Sequence, residues 1–123
     1  MSVEIHKIGD ISSLAAGAEE FVGIIHAERI RSLGITCRVT YDAATATACT
    51  VRVYVHHPSI GVDTVPLASF DVTLTAGAVV QRTVVVDSIE DSELEVKVYN
   101  GDIAKAATRI SVACILARWH ETT

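Results

Sequence analysis

The segment Leu14-Ala15-Ala16-Gly17-Ala18 returns as Leu74-Thr75-Ala76-Gly77-Ala78, and the apolar positions that follow return with it at an offset of 59 or 60. Ile35, Cys37 and Val39 correspond to Leu94, Val96 and Val98. Asp42, Ala44 and Ala46 correspond to Asp102, Ala104 and Ala106, and Val51, Val53 and Val55 to Ile110, Val112 and Cys114. A repeat of this length in a chain of 123 residues reads as two halves of one β-sandwich sharing one core, rather than as an array of separate units. The halves span about 14–56 and 74–116, and residues 1–123 form a single domain.

Alternation with period 2 supplies the strands. Ile35, Cys37, Val39 and Tyr41 alternate with Thr36, Arg38 and Thr40. Val51, Val53 and Val55 alternate with Thr50, Arg52, Tyr54 and His56, and Leu94, Val96 and Val98 with Glu93, Glu95, Lys97 and Tyr99. One face of each strand is buried and one is wet, a pattern that antiparallel sheets accommodate. The expected fold is all-β: an eight-stranded antiparallel sandwich, jelly roll or a related Greek key, with an internal two-fold repeat. The predicted strands are 3–8, 19–27, 33–41, 47–57, 66–74, 78–87, 93–100 and 106–118. Asn100-Gly101-Asp102 reads as a hairpin turn, with Asp42-Ala43-Ala44 as its counterpart. Gly17 and Gly77 turn the chain into the strands that follow them. The loop 57–64 links the halves. The Ala-rich runs 43–48 and 104–108 are too short and too Thr-interrupted to nucleate a helix.

Composition excludes several classes of function. The net charge is −5 with no basic block, so the electrostatic footprint of nucleic-acid binding is missing. No run approaches the roughly 18 apolar residues of a membrane span, and MSVEIHKIGD lacks the apolar stretch of a signal peptide. The expectation is a protein made in the cytosol without a signal peptide. Half the residues are hydrophobic, 20% are charged and the mean hydropathy is +0.38, so some apolar surface is expected to meet another chain.

The three cysteines, Cys37, Cys49 and Cys114, make an odd count, which argues against a secreted disulfide framework. All three fall on inward positions and read as buried thiols. A Cys37–Cys49 bridge stays open if the strand register sets the two opposite each other. No Cys-x-x-Cys or close Cys/His set exists for zinc, and no metal or cofactor is implied. The five histidines, His6, His26, His56, His57 and His120, are scattered. Adjacent His56 and His57 point to opposite faces of a strand. The carboxylate pairs Glu19-Glu20 and Glu90-Asp91 fall at strand ends and turns. The sequence carries no nucleophile elbow, no His-Glu-x-x-His, no P-loop and no Gly-x-Gly-x-x-Gly, so no enzyme is expected and no catalytic residue is named.

Two readings of function follow. A carbohydrate- or ligand-binding module would stack sugars on exposed rings. Tyr54 and Tyr99 face outward by the alternation, but they are isolated in a chain that is 5% aromatic. The other reading starts from the C-terminal strand, Ile110 to Trp119, which becomes apolar on both faces after Val112.

The second half, LTAGAVVQRTVVVDSIEDSELEVKVYNGDIAKAATRISVACILARW, resembles the small β-sandwich virion proteins of tailed phages. Those read as a Leu-x-Ala-Gly-Ala opening, a Val/Thr-rich strand, a Leu-Glu-Val-Lys-Val strand ending in Asn, an Ala-rich turn and a final alternating strand. The resemblance covers about residues 67–119, and through the repeat 14–56 more weakly. It implies a non-enzymatic structural protein of a virion, most of all one that decorates and stabilises a capsid. Such proteins act as symmetric oligomers, here taken as a trimer, and their partners are copies of themselves and a capsid or tail lattice. Neither nucleic acid nor membrane is among those partners. Val3, Ile5 and Ile8 form an N-terminal strand with no turn-coupled partner, and such a strand adds to a neighbouring sheet edge. Trp119, beside Ile115 and Leu116, is the lone Trp and suits an interface anchor. The outward Tyr54 and Tyr99 complete the interface candidates.

Overall fold

The computed structural model describes residues 2–87 and 92–119. The Glu90-Asp91 pair and His120 lie outside the described residues. Among the described residues the chain is all β, with nine strands and no helix. In chain order these are β1 Ser2–Leu14, β2 Glu19–His26, β3 Ile30–Thr40, β4 Cys49–His57, β5 Gly61–Val62, β6 Ala68–Val72, β7 Val79–Val85, β8 Glu93–Asn100 and β9 Ala107–Arg118.

Every pairing is antiparallel. One sheet runs β1-β9-β3-β7 and the other β2-β8-β4, with β5 and β6 both on the free side of β4. β6 takes Cys49 to Val53, and the two residues of β5 take His57 and His56. The two short strands share one strand position, so each sheet is four positions wide. This is the strand order of a jelly roll.

The sequence repeat relates the two sheets to each other. The pair Ile11↔Ile110 in the first sheet becomes Phe70↔Val51 in the second on a shift of 59 residues, and Asp10↔Ser111 becomes Ser69↔Arg52. In the same way Ile35↔Cys114 becomes Leu94↔Val55, and Ile25↔Leu94 becomes Val84↔Ile35. The exchange carries β1, β2, β3 and β4 onto β6, β7, β8 and β9. Neither half could bury its apolar face alone, because each half contributes strands to both sheets.

The core fills the space between the sheets. The alternating positions Ile35, Cys37 and Val39 of β3, Val51, Val53 and Val55 of β4, Leu94, Val96 and Val98 of β8, and Ile110, Val112, Cys114 and Leu116 of β9 are all buried. β-Branched side chains suit such a surface because their stiff χ1 loses little on packing against a pleat. Burying each one contributes about 1.5–3 kcal/mol.

Three expectations need correcting. Asn100-Gly101-Asp102 does turn the chain, but it carries β8 in one sheet to β9 in the other, so it is an arch between sheets and no hairpin. Asp42-Ala43-Ala44 does the same between β3 and β4. The N-terminal strand extends to Leu14 and is fully partnered, since Ser2 to Leu14 pair with Arg118 to Ala107. A two-residue strand, β5, interrupts the loop that links the halves. The expectation of buried thiols holds: Cys37, Cys49 and Cys114 are all free and buried, and Cys37 and Cys49, for which a bridge stayed open, belong to strands of opposite sheets.

At one edge of the sandwich the sheets close on each other through two bulges. The register slips between Lys7 and Gly9 in β1, and between Phe21 and Gly23 in β2. A Cβ on Gly9 would stand 2.6 Å from the Val22 carbonyl oxygen, and one on Gly23 would stand 2.6 Å from Ile8 Cγ2 and 2.8 Å from the Ile8 carbonyl oxygen. Only glycine allows the two backbones that approach. Gly17 and Gly77 hold φ of 72° and 73° at equivalent turns, the left-handed region that side chains disfavour.

Candidate assembly surface

The outer faces of the two sheets differ sharply, although they occupy equivalent places in the repeat. On the β1-β9-β3-β7 sheet, Ile5 pairs with Ile115, Ile115 with Gly34, and Gly34 with Val85. Direct partners share a face, so these residues form one apolar row across all four strands. Ile5 and Val85 are each 75% exposed and Ile115 is 42% exposed. The next row is Val3, Ala117 and Ser32, with Val3 66% exposed. On the other side of the apolar row lie Lys7, Ala113, Thr36 and Thr83, where the two threonine hydroxyls hydrogen-bond at 2.7 Å. Beyond them come Asp10, Ser111, Arg38 and Gln81. Ser111 Oγ donates to Asp10 at 2.8 Å, and Arg38 Nε donates to Gln81 at 2.9 Å. The face therefore grades from apolar at the Val3 end to polar at the Asp10 end.

The sequence candidates divide on this surface. Val3, Ile5 and Ile115 lie together on it. Ile8 does not, because the bulge at Lys7/Gly9 breaks the alternation and Ile8 packs against the core. Leu116 is 2% exposed and faces the core, one residue out of step with Ile115. Trp119 follows β9, is 56% exposed, has the Arg31 guanidinium 5.1 Å from its ring centroid, and donates its backbone N–H to the Arg29 carbonyl at 2.8 Å. The alternation missed Val85 and Gly34, because their significance comes from cross-strand register. An apolar residue on the outward phase of β7 was the available signal.

Tyr54 and Tyr99 are on the outer face of the other sheet, where charged side chains cover them. Lys97 Nζ lies 4.9 Å from the Tyr54 ring centroid, and Arg52 lies 4.4 Å from that of Tyr99. Arg52 also meets Glu19 at 2.7 Å. Tyr54 is only 7% exposed. A cation thus occupies one face of each ring that a sugar would stack on.

Between the sheets, at the β1–β2 edge, a cleft of about 350 Å³ is lined by Glu4, His6, Ile24, Cys114 and Arg118 among others. Glu4 accepts from His6 at 2.8 Å and from Arg118 Nε at 2.7 Å, and the His6 bond first, then Arg118, holds its carboxyl below the ordinary range. Within this cleft Glu4, His6 and Arg118 satisfy one another. Among the described residues no helix is long and apolar enough to cross a membrane.

No family model matches the sequence, and no curated protein matches it. In structure the chain is similar to one from the Bacillus endospore appendages, described as a family of disulfide-linked pili. The two share 12% identity at a TM-score of 0.50, over 97% of this chain and 90% of that one. It is also similar to a chain of the infectious bursal disease virus VP2 subviral particle, with 15% identity and a TM-score of 0.54 over 95% of this chain and 33% of that one. The likeness to the T13 particle of the same virus is comparable, with 14% identity and a TM-score of 0.53 over 95% and 31%. The chain spans nearly the whole pilus chain and about a third of the viral ones. At these identities the likeness is one of fold, and it defines a jelly-roll β-sandwich.

Proposed function

We propose that the chain is a non-enzymatic structural subunit of a virus particle, one that decorates and stabilises a capsid by packing against copies of itself and against the shell. The observation that carries this reading is the exposed row Ile5–Ile115–Gly34–Val85 on the β1-β9-β3-β7 sheet. A monomer gains nothing by leaving three large aliphatic side chains in line in water, whereas a subunit contact buries them at about 25 cal/mol per Å². The polar row from Asp10 to Gln81 supplies a rim to that contact. The opposite outer face spends its charges on its own rings. The phage-virion resemblance of residues 67–119 and the jelly-roll likeness to the viral chains both support the reading.

A second reading, a subunit of a fibre, is favoured by the endospore-appendage likeness, which covers nearly all of both chains. Linkage by disulfides has no ready thiol here, because all three cysteines are buried.

Sedimentation and electron microscopy of the purified chain, alone and mixed with capsids, test both. Discrete oligomers that coat capsids support decoration, and filaments support the fibre. A monomer that binds no lattice overturns the proposal.

A further inference from the structure

Among the described residues the two sheets have four edges, and three of them are guarded. β1 breaks register between Lys7 and Gly9 and β2 between Phe21 and Gly23, and those two edges close on each other. The third edge is shared by β5 and β6, of two and five residues, with Pro66 between them. Bulges, short strands and proline are devices that keep an edge from pairing with a foreign strand. β7 carries none of them. Its seven residues, VVQRTVV, hold an unbroken register with β3. Their single charge turns inward, for the Arg82 guanidinium lies 5.8 Å from the Phe70 ring centroid and donates to the Asp71 carbonyl at 2.8 Å.

The backbone groups that β7 leaves open follow from those it uses. Tyr41 N–H donates to the Ala78 carbonyl at 3.0 Å, and Val86 N–H to the Leu33 carbonyl at 2.8 Å. Bonded pairs alternate along an antiparallel ladder, so Val80, Arg82 and Val84 bond β3. The N–H and C=O groups of Val79, Gln81, Thr83 and Val85 point away from it. Among the described residues β7 pairs with no strand but β3.

We propose that this edge takes the β7 of a second copy, antiparallel about a two-fold axis at Arg82. The contact rests on the assembly reading above, in which copies pack against one another, and specifies how they meet. With the axis at Arg82, Val79 lies opposite Val85 of the second copy and Gln81 opposite Thr83, and the same pairs recur with the copies exchanged. Every open N–H and C=O of the strand then finds its complement. Moving the axis by one residue in either direction leaves Val79 or Val85 without an opposite number.

The side chains agree with this register. On the outer face valine meets valine and glutamine meets threonine, and on the inner face half-buried Val80 meets Val84. Only Arg82 meets its like, and each guanidinium is held by its own β6. The exposed row Ile5–Ile115–Gly34–Val85 runs on to Val79 of the second copy, which is 60% exposed in the single chain. Because the other edges are guarded, β7 is the strand that a neighbouring copy has to offer.

Sedimentation equilibrium and residue-resolved amide hydrogen exchange on the full chain, with and without capsids, test the contact. A dimer is expected, with the Val79, Gln81, Thr83 and Val85 amides slow to exchange in it and fast on dilution. Thr83→Pro removes an N–H that makes no bond to β3 and sets a ring on the edge, so the association constant should fall by more than about tenfold with circular dichroism unchanged. Arg82→Cys puts a thiol on the axis of a chain whose own thiols are buried. It should cross-link to itself on mild oxidation, whereas Ser69→Cys, exposed on β6, should not. Dimers whose edge amides exchange fast overturn the proposal and leave the assembly reading standing, with the copies meeting elsewhere. A monomer whose edge amides slow only with capsids also overturns it, the edge then taking a strand of the shell. A monomer that binds no capsid overturns both.

Discussion

Asp42 and Asp102 sit at equivalent arches in the two halves, and the carboxylate of each accepts the backbone N–H two residues on, that of Ala44 and of Ala104. There the equivalence stops. Asp42 is exposed, whereas Asp102 is 2% exposed and also accepts from Lys105 at 2.8 Å and, across the repeat, from Ala46 at 2.8 Å and Thr47 at 3.0 Å. The neighbouring Asn100 donates to the Leu14 and Lys105 carbonyls and accepts from the Asp102 N–H. One buried carboxylate and one buried amide thus lock both arches together.

The Ala46 N–H, then those of Lys105 and Ala104, hold the Asp102 carboxyl at about 2. An unfolded Asp titrates near 3.9. The folded value is the lower, so the contribution to stability is complete above pH about 4 and is lost as the pH falls towards 2. Denaturant midpoints should drop steeply over that window for the wild-type chain. They should be lower and flatter for Asp102→Asn, whose amide cannot accept the same four N–H groups with a charge. Parallel slopes for the two proteins would show that Asp102 is not the acid-sensitive group.

The repeat and the period-2 alternation made the strands and their inward faces legible, because each depends on local order in the sequence. The sheet to which each strand belongs was not legible. Asn100-Gly101-Asp102 carries the same turn chemistry whether it closes a hairpin or an arch, and the choice is made by Asp102 reaching Ala46, more than fifty residues away. Ile8 was misassigned for a related reason. A bulge shifts the phase of β1 by one residue, and its cause is contact between Gly9 and Val22, which no local pattern records.

Gly9 and Gly23 should tolerate no side chain. Either alanine variant forces a Cβ to within 2.6 Å of Val22 or Ile8 atoms, and overpacking of this kind costs about 1–3 kcal/mol. Gly34→Ala is the control, because its nearest neighbour would be at an ordinary 3.6 Å. Thermal melts should separate the first two from the third. Equal melting temperatures would mean that the β1–β2 edge yields at little cost.

The thiols should be silent in the folded chain. Burial first, and then the nearby Cys49, pushes Cys37 up to about 12; burial pushes Cys49 up to about 11. A thiol-reactive reagent should therefore find almost nothing until denaturant is added, and then three equivalents. The folded values are raised, so stability is intact below pH about 8.5, where an unfolded cysteine begins to ionise, and declines as the pH climbs towards 11–12. Cys37→Ala should flatten that alkaline decline. Two equivalents missing after unfolding would reveal a bridge in place of free thiols.

The assembly proposal turns on separating the fold from the face. Deleting residues 2–8 removes the pairings from Ser2↔Arg118 to Lys7↔Ala113 and the Glu4–Arg118 contact, so it should weaken the sheet itself and reveal nothing about partners. Ile5→Asp, Ile115→Asp and Val85→Asp change only outward side chains, and surface substitutions of that kind usually shift stability by about 0.5 kcal/mol or less. At a subunit contact, however, each would bury an unpaired charge, and the association constant should fall by well over about tenfold. Trp119→Ala, beyond the end of β9, should weaken association in the same direction. Sedimentation equilibrium on variants with unchanged circular dichroism measures both effects. If the three aspartate variants associate as the wild type does, the exposed row is not the contact, and the charged face carrying Arg52, Tyr54, Lys97 and Tyr99 becomes the surface to mutate.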